Sequence, residues 1–398
     1  MKILQISPQV PLPLDNGGRI GIYGITKNLA DRGHEIHFVT YRKGTDKSWA
    51  ENELKKFCQP YILEENTENN LFSAILNLFS PVPYNISKFH KKTTENFLLN
   101  FLKNNQADLI HIDHLHLGWL VDIIRDTIDI PVVLREHNLE LKIMERFYKK
   151  EKNLFIKGYA NLQYKKFIKY EPALAEKFDR CIMITSEDEQ RLKELNPKVK
   201  TSVIGVGVSK ELLDVYKKNI IPYSLFHIGS LEWRPNYDGL TWYLEEVFPA
   251  IVTYQPKAKL FIYGIGAEKL RIPVSLQKNI IKVGYVKDLW NEILDKQLAV
   301  IPLRIGSGIR VKIIEMLGIG QNIISTSIGV EGIDAENEKN ILIADSPDEF
   351  IHKTIAYFNN EYDNAQFAAN AKQLIKEKYT WEKIAEQFEN EYYSLLKN

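Results

Sequence analysis

The chain has 398 residues, more than one ordinary hydrophobic core requires, and this length points to two domains. Its 52 basic and 51 acidic side chains nearly cancel to a net charge of +1, which argues against nucleic acid as a partner. The two cysteines, Cys58 and Cys181, match neither a zinc spacing nor a disulfide framework and indicate a reducing compartment. The apolar start "MKILQISPQVPLP" is too short for a signal-peptide core, and no run approaches the roughly 18 apolar residues of a membrane span.

In chain order, β-rich runs stand at 2–7 (KILQIS), 35–41 (EIHFVTY), 108–113 (DLIHID), 131–136 (PVVLRE) and 180–186 (RCIMITS). Helical periodicity falls between several of them, as at 20–32 and 93–105. The second half repeats the rhythm, with strands predicted at 224–230, 259–264, 280–286, 298–303, 322–327 and 340–345. Helices are expected near 237–254, 289–294, 310–317 and 347–358. Continuous apolar strands alternating with helices define an α/β class with parallel sheets covered on both faces. The expected organisation is a first domain over 1–204, a linker over 205–222 marked by Gly205, Gly207 and Pro222, and a second domain over 223–375. The last segment, 376–398, reads as an amphipathic helix with Trp381, Ile384, Phe388 and Tyr392 at helical spacing.

Parallel sheets bind ligands beyond the C-terminal ends of their strands, so chemistry is sought in the loops that follow strands. In "SPQVPLPLDNGGRI", Asp15, Asn16, Gly17 and Gly18 precede a helix. A Gly-Gly pair there fits close approach to an anion, and fits an ordinary turn equally well. "HIDHLHLGW" and "LREHN" place His111, His114, His116 and His137 near two strand ends. Histidines so grouped allow a metal site, but no cysteine or HExxH pattern supports one. His137 suits binding or acid–base work, whereas His111 suits a satisfied core position. "HIGSLEWRPNYDG" offers Ser230, Arg234 and Asn236 between a strand and a helix, with Pro235 suited to starting that helix.

The stretch "LAVIPLRIGSGIRVKIIEMLGIG" is neither a P-loop nor a dinucleotide fingerprint, because Val311 stands where the third glycine belongs. Arg310 and Lys312 sit at a helix start, where the dipole disfavours cations. A diphosphate ligand would offset that penalty. The alternative is a solvated basic turn with a surface Lys312–Glu315 pair of little worth. Lysines interleaved with aromatics over 142–170, and the apolar piece "NLFSAILNLFSPVPY" over 70–84, admit either peripheral contact with an anionic membrane or a packed helical hairpin.

Taken together, these segments and their order resemble the retaining glycosyltransferases of family 4, which have the GT-B fold. The resemblance covers nearly the whole chain, from "ISPQVPLPLDNGGRI" through "SPVPYNISKF", "PVVLREHNLE" and "HIGSLEWRPNYDGLTWYLEEVFP" to "IPLRIGSGIRVKIIEMLGIGQNIISTSIGVEGI" and "YTWEKIAEQFENEYY". It implies two Rossmann-like domains facing a cleft, with the terminal helix returning to the first domain. It also implies a hexosyl-type transfer from a UDP- or GDP-sugar to a hydroxyl of a glycan or lipid-linked acceptor, with retention, in surface polysaccharide or glycoconjugate synthesis. The expected setting is cytoplasmic, with peripheral membrane contact as an option. No metal and no cofactor are expected, so protein groups would neutralise the leaving diphosphate. Gly17 and Gly18 would approach the diphosphate or acceptor, His137 the transferred sugar and phosphate, Glu315 the ribose hydroxyls, and "GYVKDL" the nucleobase.

The departures are informative. Ser307 replaces the first of two family glutamates, which leaves the donor sugar open. Ser230 stands at the family's diphosphate-binding arginine position, and its lysine position falls near Asn236. Arg310 and Lys312, with Arg234, are the expected replacement cations beside Gly308. Two rival readings share the architecture, namely a nucleotide-sugar 2-epimerase and a non-catalytic glycan-binding relative.

Overall fold

The computed structural model describes residues 1–14, 16–42, 48–216, 219–306 and 308–397. They divide into two compact units, one formed by Met1–Gly207 with Trp381–Asn398, the other by Val208–Thr380.

The first unit is built on seven parallel strands: β1 (Lys2–Ser7), β2 (Glu35–Arg42), β3 (Gln59–Glu64), β4 (Leu109–Asp113), β5 (Val132–Glu136), β6 (Arg180–Met183) and β7 (Thr201–Val203). Their order is β3-β2-β1-β4-β5-β6-β7. Every residue of β4 and β5 is buried, as expected of strands covered on both faces. The direction of winding reverses between β1 and β4, the place where doubly wound sheets leave a crevice at their strand ends. The helix Gly17–Asp31 follows β1 directly.

The helix Trp381–Leu396 belongs to this unit, and Trp381, Ile384, Phe388 and Tyr392 are its buried face. The Trp381 ring lies where a side chain on Gly24 or Gly207 would collide with it. Glu389 of the same helix accepts from Arg32 and lies 2.9 Å from His34 Nε2. Basic-aromatic segment 142–170 resolves into a hairpin of helices Glu140–Lys150 and Leu154–Ala175. Tyr148 and Tyr164 stack between them at 5.2 Å, and Phe167 is in the core. The segment forms the helical hairpin, with Phe167 buried and Phe147 and Phe155 exposed.

The second unit carries six parallel strands: β8 (Ser224–Ile228), β9 (Lys259–Tyr263), β10 (Ile280–Gly284), β11 (Leu298–Ile301), β12 (Ile323–Ser325) and β13 (Leu342–Ile343), in the order β10-β9-β8-β11-β12-β13. Its winding reverses between β8 and β11. All six strands end one or two residues before their predicted ends; at β8 and β10, Gly229 (φ 151°) and Gly284 (φ 80°) turn the chain out of the sheet. The single helix expected over 237–254 is interrupted. Arg234–Trp242 and Phe248–Tyr254 flank a π-helical turn at Tyr243–Val247, just before Pro249, whose missing N–H removes a regular rung. The expected linker is partly structured: Lys210–Asp214 forms a 3-10 turn, with Leu212 and Leu213 packed on the core of this unit.

Candidate functional site

At the reversal point of the first sheet, a buried polar cluster centres on Asp113, the last residue of β4. Gln5 of β1 donates to Asp113 Oδ2 at 2.6 Å, and Thr26 donates to Gln5 at 2.9 Å. His137, one residue past β5, lies with Nε2 3.2 Å from Asp113 Oδ1. Arg135 lies 3.8 Å and His111 3.5 Å from the same oxygen. Burial pushes Asp113 up, yet His111 and His137 together hold its carboxyl well below the usual range. Burial and the Arg135 charge lower His137 to about 4, so at neutral pH its imidazole is uncharged. With Nε2–H donated to Asp113, Nδ1 is left as the acceptor.

The His114 ring stacks on His137 at 3.8 Å, and burial holds it well below its ordinary value. His114 itself has a positive φ of 67°, which turns the chain sharply after β4. Glycines make room for this stack: a Cβ at Gly21 would stand 3.4 Å from His137 Cε1, and one at Gly18 would stand 3.2 Å from Gln9 Nε2 and 4.0 Å from His114 Nε2. Gly17 begins the helix, and Asn16 caps it by accepting from Arg19 N at 3.0 Å. Thus Gly18 and His137 are brought to one place, together with His114. Below them, Glu171 accepts from the N–H groups of Glu140 and Leu141, both at 2.8 Å, which fixes the helix that follows His137.

His111 lies inside its strand, with Nδ1 2.7 Å from the Tyr392 hydroxyl, and His116 faces Phe89 edge-on. Among the described residues no group of three His, Cys, Asp or Glu side chains is arranged to hold a metal ion.

At the reversal point of the second sheet, Lys312 is the central group. It lies in the first turn of the helix Val311–Gly318. Its ammonium donates to the Ile228 carbonyl at 2.6 Å and to Asn236 Oδ1 at 3.1 Å. Asn236 in turn donates to the Ser230 carbonyl at 2.9 Å, so Ser230 joins the cluster through its backbone. Burial, then the neighbouring Arg310 charge, lowers Lys312 to about 7. Arg310 donates to the Gly308 carbonyl, and its guanidinium lies 5.8 Å from the Trp233 ring. A side chain on Gly306 would collide with this guanidinium, and both Gly306 (φ 137°) and Gly308 (φ 78°) have positive φ.

Glu315 stands one turn beyond Lys312 on the same helix. The Lys312–Glu315 pair of the basic-turn alternative is not formed, because Lys312 reaches back to β8 instead. Glu315 makes no side-chain hydrogen bond or ion pair among the described residues, and burial alone raises it to about 7. Arg234 is exposed at the start of its helix and makes no hydrogen bond or ion pair with the Lys312 cluster among the described residues. Ser307 lies outside the described residues, as does Asp15.

Asp113, Arg135 and Gln5 were not singled out in the sequence. Their signal was charge or amide at otherwise apolar strands, most visibly Asp113 ending "DLIHID". The Asn236–Lys312 contact spans 76 residues and has no sequence signature.

Two doubly wound parallel units, each with its polar groups at the strand ends of the reversal point, define a two-domain α/β architecture of Rossmann type. Residues 16–212 match the model of Glycosyltransferase Family 4, and residues 222–360 that of Glycosyl transferases group 1. The chain belongs to this family and is a glycosyltransferase of the GT-B fold. It is 24% identical over 396 residues to a 44.6 kDa protein in the cps region of Klebsiella pneumoniae, covering 96% of this chain and 97% of that one. Among solved structures, sucrose-phosphate synthase from Thermosynechococcus elongatus superposes with a TM-score of 0.73 at 15% identity, covering 100% of both chains. Anabaena HepE in complex with UDP gives a TM-score of 0.66 at 14% identity, covering 99% of this chain and 100% of that one.

Proposed function

We propose that this glycosyltransferase moves a hexosyl-type group from a UDP- or GDP-sugar to a hydroxyl of a glycan or lipid-linked acceptor, with retention, in surface-polysaccharide synthesis. The observation that carries the reading is the Lys312 cluster. A buried ammonium with a protonation midpoint near 7, an arginine and glycines in positive φ stand at one helix start. This suits a nucleoside diphosphate: the cations oppose the phosphate charge, and glycine lets backbone N–H groups approach it. Glu315, one turn on, is an acceptor-only carboxylate once ionised, above its raised midpoint near 7, and then suits a pair of ribose hydroxyls. The complexes of Anabaena HepE with UDP and with UDP-glucose support a uridine donor. The Klebsiella relative in a cps region supports a role in surface polysaccharide.

In the N-terminal unit, Asp113 fixes the ring of a neutral His137, which serves sugar transfer by hydrogen bonding rather than as a cation. Retention follows if the acceptor hydroxyl attacks on the face the phosphate leaves. The new C–O bond then forms as the old one breaks, and the departing phosphate oxygen takes the hydroxyl proton. Charge on that phosphate is met by Lys312 and Arg310, with no metal ion in the reading.

A thermal-shift screen of UDP- and GDP-sugars against the bare nucleotides tests the donor, since a ligand of the folded state raises apparent stability. One base series should shift the midpoint, and transfer should persist in a chelator. His137→Ala should keep the shift while losing transfer. No shift with any nucleotide, or conversion of donor to an isomer without acceptor, overturns the reading.

A further inference from the structure

The short helix Leu71–Leu76 inverts the usual rule of folding. None of its residues is buried, although its sequence is LFSAIL. Leu71, Phe72 and Ile75 are all exposed, and Phe79 just beyond is 90% exposed. The segment is held by polar pins instead. Asn70 caps the helix by accepting from Ser73 N at 3.0 Å. Asn77 is buried, donates to the Val82 carbonyl at 3.0 Å, and accepts from Gln163 and Lys166 of the helix Leu154–Ala175 at 3.2 and 3.1 Å. Water-facing apolar side chains on a platform fixed by polar groups are a built feature of the surface.

The patch continues onto the neighbouring helix. Leu154 and Phe155 open it and are 81% and 92% exposed. Phe155 lies one turn before Tyr159, which lines a groove of about 430 Å³ with Leu71 and Ala74. On the other side, Leu78 and Phe79 line a groove of about 860 Å³ with Leu162, Lys165 and Lys169. Lys165 and Lys169 are exposed and make no ion pair among the described residues. The acid in that groove, Asp122, is already paired to Lys177 at 2.8 Å. The rim of the apolar patch is therefore cationic.

We propose that the exposed faces of 71–79 and 154–156, flanked by Lys165 and Lys169, dock this protein on an anionic phospholipid bilayer. The apolar side chains enter the headgroup–acyl boundary, and the lysines meet lipid phosphates. Charge complementarity selects this occupant: a bilayer offers an apolar layer rimmed by negative charge, the complement of what the patch presents. The inference is independent of the donor reading and narrows the membrane option raised for 142–170 and 70–84 to the start of the second hairpin helix and the 71–79 platform.

The test is sedimentation of the full chain with vesicles of phosphatidylcholine alone or mixed with phosphatidylglycerol. Binding is expected to the mixed vesicles only, weakening as salt rises. Phe72→Ser with Phe79→Ser and Phe155→Ser should lower partitioning at least tenfold. Lys165→Glu and Lys169→Glu should each lower it about fivefold or more. All these positions are exposed, and an unchanged unfolding midpoint and far-ultraviolet circular dichroism in each variant show that the fold is intact. Absence of binding to anionic vesicles overturns the proposal, as does equal binding by the triple variant. A concentration-dependent dimer, abolished by the same variant and without vesicle binding, would assign the face to a second copy instead.

Discussion

Glu315 offers a sharp test of the nucleotide site because its protonation is set by burial alone. Its ordinary value of 4.5 rises to about 7 in the fold. The folded chain therefore holds a proton that the unfolded chain releases between those two values. Stability falls as pH rises through that window and stays lowered above it, while below 4.5 Glu315 contributes nothing. At about 1.4 kcal/mol per pH unit the full cost of the ionised carboxylate is about 3 kcal/mol. Partial solvent access reduces it to about 2 kcal/mol. Glu315→Gln removes the titration but keeps the shape. Relative to the parent, the variant should gain about 1–2 kcal/mol between pH 5 and pH 8, or about 3–6 °C in the unfolding midpoint of the second unit. Scanning calorimetry at the two pH values reads this directly. The same variant should bind UDP about 10–100-fold more weakly, because charge-assisted hydrogen bonds to the ribose are lost. A stability gap that does not change with pH would refute the burial argument. Unaltered UDP affinity would refute the ribose role.

Lys312, lowered to about 7 by burial and by Arg310, is partly neutral at physiological pH. A bound diphosphate restores its charge, so UDP binding at pH 8 should take up a proton, and affinity should fall as pH rises above 7; calorimetry in buffers of different ionisation heat measures both. Asn236→Ala removes the 3.1 Å amide contact to this ammonium and should weaken UDP binding by about tenfold while leaving the vesicle partitioning unchanged. Gly24→Ala drives a methyl group into the Trp381 ring and should destabilise the N-terminal unit by about 1–3 kcal/mol, seen as a lowered denaturation midpoint with protease sensitivity of the C-terminal helix.

Periodicity and apolar runs determined the α/β class, the parallel sheets and most strands by themselves. Strands such as β4 and β5, buried on both faces, have to be continuously apolar, and that pattern is local. The Trp381, Ile384, Phe388 and Tyr392 stripe was legible for the same reason. Two edge strands escaped notice: β3 contains Pro60 and is half exposed, and β7 has only three residues. Glycine-bearing loops marked Gly18 and Lys312 as places for chemistry, and a histidine at a strand end marked His137. The partners of those residues were decided by tertiary structure. Asp113 and His137 meet because β4 and β5 are neighbours in register, and Lys312 finds Asn236 because β8 and β11 adjoin. Burial then set their protonation, lowering His137 and Lys312 and raising Glu315. Desolvation depends on everything packed around a side chain, and a linear pattern carries no record of that.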